Sequence, residues 1–229
     1  MKSKKIILIL SMIFLSSCSF IKILWEDGRK GENTICLTFD DGPNGIATKN
    51  VLNVLDKYQV PATFFIIGKN AEREPELLKE ISKRGYSIGN HSYDHDNFLF
   101  TKSNDLIKEN ILKTNKIVKS ITGKNPNLFR PPNALVNENI EKACNETNMK
   151  IVGVNIFIND SMLFNEDVTY SYVMKELKSG INILVLHDGF GTFENQQRVF
   201  ISDALDRIIN KLKKIGYKFG KIEKNGICS

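Results

Sequence analysis

Beyond residue 33 the chain alternates short apolar runs with longer stretches of helical periodicity, and no other feature narrows its fold as far. Residues 34–39 form a mostly apolar run that stops in Asp40-Asp41-Gly42-Pro43, a strand ending in a turn. Residues 46–58 read as a helix with Val51, Leu52, Leu55 and Tyr58 on one side. A strand over 62–67 follows Pro61, then one helix over 70–84 with Gly85 just past its end. A strand over 86–90 leads into His91, and a long helix over 103–122 is N-capped by Ser103 or Asn104. Leu128-Phe129-Arg130, a helix near 137–148 and a strand near 149–155 come next. A helix near 168–179, a strand over 181–186, a helix over 196–215 and a strand near 217–222 complete the series. Helices of this length between strands imply right-handed βαβ units and a parallel sheet. Roughly six to eight such units suggest a closed or nearly closed α/β barrel in one domain.

The N-terminus belongs to something else. Met1-Lys2-Ser3-Lys4-Lys5 precedes a run to Leu15 that is apolar except for Ser11, a secretory signal too short for an ordinary membrane span. Its end, Leu15-Ser16-Ser17-Cys18, resembles the lipobox of bacterial lipoproteins, which implies cleavage before Cys18 and lipid attachment to it. An uncleaved anchor running through Trp25 is the alternative, interrupted by Lys22. Residues 1–17 are thus read as signal peptide, 18–32 as a lipidated tether and 33–229 as the domain, outside the cytoplasm on a bacterial membrane. Cleavage removes three lysines and no acid, so the formal charge of +6 falls to +3. That is too mild to argue for nucleic acid, and no basic stripe is interleaved with aromatics. Cys36, Cys144 and Cys228 then remain, an odd number with no partner spacing, and Cys36 reads as a small buried hydrophobe.

Polar residues gather where the strands end: Asp40 and Asp41 after the first, His91 after the third, then Arg130, then His187 and Asp188. The C-terminal rim of a β/α barrel is where loops assemble an active site, and the three histidines of the chain, His91, His95 and His187, all lie there. His91 and His95, four apart, point the same way if their stretch is helical or tightly turned. A third ligand from Asp40 or Asp41 makes a His₂-carboxylate site with open positions, as for catalytic zinc or a similar divalent ion. Adjacent aspartates on an extended strand project in opposite directions, which suits one to the metal and the other to proton transfer. A metal there favours hydrolysis of an amide or ester.

These residues carry a resemblance. Thr38-Phe39-Asp40-Asp41-Gly42-Pro43 is similar to the first signature of the polysaccharide deacetylases, the NodB-homology domain of carbohydrate esterase family 4. His91-Ser92-x-x-His95 matches the second, Arg130-Pro131-Pro132 opens the third, and Val185-Leu186-His187 resembles the last. The resemblance implies a distorted (β/α)₇ barrel that removes acetyl groups from polysaccharides. It assigns Asp41, His91 and His95 to the metal (Zn²⁺, with Co²⁺ or Ni²⁺ as alternatives) and Asp40 to general base. Arg130 would hold Asp40 ionised, His187 would be the general acid, and the backbone N–H of Asn133 would stabilise the oxyanion.

The chain also departs from the family pattern. Asn133 stands where tyrosine is frequent, and Asn159-Asp160-Ser161 lacks the usual Asp-Trp, leaving Asp160 as the candidate partner of His187. With Trp25 in the tether, a sugar ring would have to stack on Phe98, Phe100, Phe157, Phe164 or Phe190. Asp188 reads as a turn cap, and Gly189-Phe190-Gly191 as a flexible loop. A tethered enzyme meets peptidoglycan first, with N-acetylglucosamine polymers and chitooligosaccharides next. A silent sugar-binding module on the same barrel is the competing reading.

Overall fold

The computed structural model describes residues 22–23, 31–158, 165–193 and 198–229. The signal and lipid-attachment readings at 1–17 and Cys18 therefore lie outside the described residues, as do Trp25, Asp160 and Phe164.

One long strand organises the sheet. After a two-residue strand β1 (Lys22–Ile23), β2 (Thr34–Gly42) pairs in parallel with β9 (Ile181–His187) along one edge. Its other edge is shared: β10 (Lys218–Gly220) pairs with the first half, and β3 (Thr63–Ile66) with the second. Outward from β3 lie β4 (Ser87–Asn90), β5 (Leu128–Phe129) and β7 (Lys150–Ile151), while β8 (Ile156–Phe157) flanks β9. The order is β7-β5-β4-β3-β2-β9-β8, all parallel, so the expected distorted α/β barrel forms. The run expected as one strand over 149–155 supplies only β7, and β8 begins just beyond it at the opposite end of the sheet. Residues 152–155 between them cross the seam where the barrel fails to close.

Helices α1 (Gly45–Tyr58), α2 (Gly68–Arg73), α3 (Pro75–Lys83), α4 (Asn104–Thr122), α5 (Glu138–Glu146), α6 (Glu166–Glu176) and α7 (Phe200–Lys214) connect the strands. The helix expected over 70–84 is two. Pro75 has no N–H to donate and its ring disfavours helix in the residue before it, so α2 ends and α3 restarts with proline in its first turn. Ser103 does cap α4, its hydroxyl accepting from the Leu106 N–H. The last helix, α7, begins at Phe200; of the expected span 196–215, residues 196–197 lie outside the described residues.

Alternation sorts β2 by face. Ile35, Leu37 and Phe39 join α1, α3 and α7 in the outer core, while Cys36, Thr38 and Asp40 point into the barrel. At the lower end of that interior Cys36 forms a disulfide with Cys228, 192 residues away, surrounded by Phe65, Leu128, Ile183 and Ile222. This corrects the reading of Cys36 as a lone small hydrophobe. The C-terminal segment folds back on itself, Lys221 N–H to Ser229 O and Glu223 N–H to Ile227 O, and plugs the barrel floor.

Candidate active site

Asp40 and His187 are register partners at the upper ends of β2 and β9, which brings the expected base and acid to one rim. The Asp40 carboxylate is buried, and its Oδ1 accepts from Arg130 Nη1 at 2.7 Å. Arg130, also buried, donates from the same Nη1 to Thr38 Oγ1 at 2.8 Å and lies over the Phe65 ring, 4.1 Å from its centroid. Longer contacts reach the Val152 and Gly153 carbonyls, so the guanidinium also fills the barrel seam. Burial pulls its proton affinity down, and the Asp40 carboxylate opposes that loss.

The neighbouring aspartate does not project away, as simple alternation requires. Register slips between Asp40 and Gly42 against β3, and Asp41 adopts φ 73°, a bulge that turns its carboxylate toward the same site. Asp41 Oδ1 lies 3.5 Å from His91 Nε2 and 3.4 Å from His95 Nε2. The segment 91–95 is not helical, yet left-handed turns at Ser92 and His95 bring the two rings to 5.1 Å between centroids.

These three side chains fit a metal ion. Ligand atoms about 2.1 Å from one tetrahedral ion stand about 3.4 Å apart, which matches the spacing here. Asp41 Oδ1 is buried with no hydrogen-bond partner, while its Oδ2 accepts from the Gly191 N–H at 2.9 Å. His91 Nδ1 lies 2.7 Å from the Arg130 carbonyl, so Nδ1 carries the proton and Nε2 presents its lone pair. Burial foremost, then the electrostatic influence of neighbouring His95, lowers the pKa of His91 to about 3 and keeps the ring neutral. A cavity of about 380 Å³ opens above this cluster, with walls that include Asn133, Phe157, His187, Phe190 and Phe193. Phe157 packs edge-on to His187 at 6.1 Å.

Asn133 and Ala134 both hold left-handed backbone, φ 57° and 54°. Asparagine tolerates that conformation better than most residues, and its side chain donates to Asn97 Oδ1 across the pocket. Of the expected stacking rings, Phe157 and Phe190 line the cavity, whereas Phe100 packs against the core between α4 and α5. Sequence reasoning passed over three contributors. Asn70 donates to both the Asp41 and Gly191 carbonyls, Asn97 meets Asn133, and Phe193 stands exposed at the lip. Nothing in their local sequence marks them.

Gly189-Phe190-Gly191 is a built part of the site. A Cβ on Gly189 would come within 2.3 Å of the Asp41 carbonyl oxygen, so only glycine fits. Asp188 does more than cap a turn: it is fully buried, and its Oδ2 accepts from Thr48 Oγ1 at 2.5 Å.

A curled parallel α/β barrel carries at its rim a buried Asp–Arg couple beside an Asp-His-His cluster that could hold a metal ion, an arrangement suited to hydrolysis. A family model described as "Polysaccharide deacetylase" matches residues 27–152. The chain is 35% identical over 199 residues to a peptidoglycan-N-acetylglucosamine deacetylase of Bacillus cereus, covering 86% of this chain and 89% of that one. It is also 35% identical over 200 residues to the peptidoglycan-N-acetylmuramic acid deacetylase PdaA of Bacillus subtilis, covering 86% and 72%. Among solved structures, BA3943 of Bacillus anthracis, a pseudoenzyme of carbohydrate esterase family 4, superposes with a TM-score of 0.74 at 28% identity, over 83% of this chain and 64% of that one. The chain belongs to the polysaccharide deacetylase family.

Proposed function

We propose that this protein is a metal-dependent hydrolase that removes N-acetyl groups from an N-acetylhexosamine polymer of the cell envelope, with peptidoglycan as substrate. The observation that carries this reading is the complete set around one cavity: Asp40 paired with Arg130, the Asp41-His91-His95 cluster, and His187. A silent sugar-binding module has no need to bury a charged Asp–Arg couple at the barrel mouth. The peptidoglycan substrates named for the relatives from Bacillus cereus and Bacillus subtilis support the choice of polymer.

Asp41, His91 and His95 would hold the ion, zinc or alternatively cobalt or nickel, which would supply Lewis acidity for attack by water on the acetyl carbonyl. The remaining work falls to the protein. Asp40, with Oδ1 engaged by Arg130, keeps Oδ2 for the proton of the attacking water, and the guanidinium fixes the orientation of the carboxylate. The Asn133 N–H, on its left-handed turn, donates to the oxygen that gains charge. His187 returns a proton to the departing sugar nitrogen, releasing acetate and a free amine.

The same reading places the protein outside the cytoplasm, held to a membrane through lipid on Cys18. The Cys36–Cys228 disulfide supports an oxidising compartment. The test is acetate release from N-acetylated glycan by the purified protein with added divalent metal, compared with Asp40→Asn. Release by the wild type, cut about 10²–10⁴-fold in the variant, is expected. No release from any glycan while metal is bound overturns the enzyme reading.

A further inference from the structure

The described barrel has one element outside its sheet that lies beside the chemistry. Strand β1 (Lys22–Ile23), in the segment read as tether, pairs antiparallel with β6 (Leu135–Val136), Lys22 opposite Val136 and Ile23 opposite Leu135. β6 follows directly on Asn133 and Ala134, the cavity-lining residues whose backbone is left-handed at two consecutive non-glycine positions. Such conformations are strained and persist only where the surroundings over-determine them. The surrounding restraints can be named. Upstream, the Arg130 N–H donates to the Asn90 carbonyl and the Ala134 N–H to Pro131. Across the pocket stands the Asn133–Asn97 amide contact, and downstream Asn137 donates to the Phe100 carbonyl. On the open side, the backbone of residues 135–136 is met by β1.

We infer that residues 22–23 position the active site from outside it: a strap whose backbone pairing with β6 fixes the aim of the Asn133 N–H. The inference rests on the deacetylase reading for its chemical consequence and on geometry alone for its structural one. Because the strap pairs with residues 135–136 and acts on an oxyanion donor, it acts on kcat and leaves metal affinity unchanged. Because it acts through backbone groups, its side chains are replaceable and its N–H groups are not.

The test uses the full chain. Lys22→Pro/Ile23→Pro removes both N–H groups, and Lys22→Ala/Ile23→Val keeps them. The proline variant is expected to lose tenfold to a hundredfold in kcat for acetate release, the scale of a small misplacement at a reacting centre. Its zinc affinity and thermal midpoint should stay those of the wild type, and the conservative variant should stay within about twofold in kcat. Amide hydrogen exchange reads the strap independently of activity: Val136, opposite Lys22, should exchange at least tenfold faster in the proline variant, while Leu135, whose N–H donates to the Pro132 carbonyl, should not. Unchanged exchange at Val136 overturns the strap whether or not acetate is released. So does a kcat within twofold of wild type, or a loss shared equally by the conservative variant. A wild type that releases no acetate, together with faster exchange in the proline variant, would refute the deacetylase reading and leave the strap standing.

Discussion

The two ends of the barrel interior are lined by alternate residues of one strand and have opposite chemistry. On β2, Cys36 points into a dry floor with Phe65, Leu128 and Ile183, closed covalently to Cys228. Two residues on, Thr38 donates to the Leu184 carbonyl and accepts from Arg130 Nη1; two further, Asp40 accepts from that same nitrogen. The floor is held by apolar burial and a cross-link, the mouth by the buried Asp40–Arg130 pair. Arg130 is the boundary layer: its ring-face contact with Phe65 belongs to the floor and its hydrogen bonds to the mouth. Within roughly one strand length the interior thus passes from stability to chemistry.

If that division is real, breaking the boundary should damage both ends. Arg130→Met leaves a carboxylate buried without its cation, which costs about 3–5 kcal/mol and favours the neutral acid, useless as a base. Chemical denaturation should report the stability loss, and acetate release should fall about 10²–10⁴-fold. A variant that lost activity at unchanged stability would place Arg130 wholly in the mouth.

Breaking the floor should spare the mouth. Cys228→Ser, or reduction of the disulfide, frees the C-terminal plug and should cost about 2–5 kcal/mol, seen as a lower thermal midpoint. At 25 °C, with the fold still populated, kcat should remain within about twofold of wild type. A comparable fall in kcat would show that floor and mouth are mechanically one.

Legibility in the sequence follows the same line. The mouth was readable because catalysis demands particular residue types at strand ends, and Asp40, Asp41, His91, His95, Arg130 and His187 converge as their motifs imply. The floor was not: Cys36 and Cys228 are separated by nearly the whole domain, and no local pattern joins them. Between these extremes lie features set by tertiary pairing. Alternation sends Asp41 away from the site, and only the slip of β2 against β3 brings it back. The 149–155 run carries the apolar pattern of one strand, but it stops pairing at Ile151, crosses the open seam and pairs again only from Ile156, at the other sheet edge. Pro75 was a visible break in the expected 70–84 helix, overridden by the apolar spacing of Leu77, Leu78 and Ile81.

Asp188 sharpens the comparison from beneath the mouth. Burial raises its carboxyl pKa from 3.8 to about 7, with Asp41 and Asp40 adding to the rise and the Thr48 hydrogen bond opposing it. Between about pH 4 and 7 the folded protein therefore holds a proton that the unfolded chain has released. Stability falls as pH rises through that window, and the loss is complete above the folded pKa. In metal-free protein the wild type should lose on the order of 1–3 kcal/mol between pH 4.5 and 7.5. Asp188→Asn keeps the acceptor for Thr48 and removes the ionisation, so its stability should change less over that range. Parallel pH profiles for the two would show that the buried carboxyl stays charged.

The smallest effect is expected at the lip, where the mouth meets substrate. Phe193 is 62% exposed although its loop is firmly held: its N–H donates to the Phe190 carbonyl, and Asn70 and Arg73 hold Gly191 and Thr192. Its ring lies 5.6 Å from that of Phe190, and the Arg198 guanidinium lies 5.3 Å from the Phe190 ring centroid. An aromatic face already fixed in place loses little entropy when a sugar ring settles on it. Phe193→Ala should therefore raise KM for an N-acetylglucosamine tetramer about fivefold, equivalent to about 1 kcal/mol, with kcat unchanged. A small acetate ester that cannot reach the lip should show no change in either constant, and Phe193→Trp should restore the tetramer KM. Equal losses on ester and tetramer would mean that Phe193 supports the metal cluster through neighbouring Gly191 and His95, and the lip would then belong to the mouth's framework.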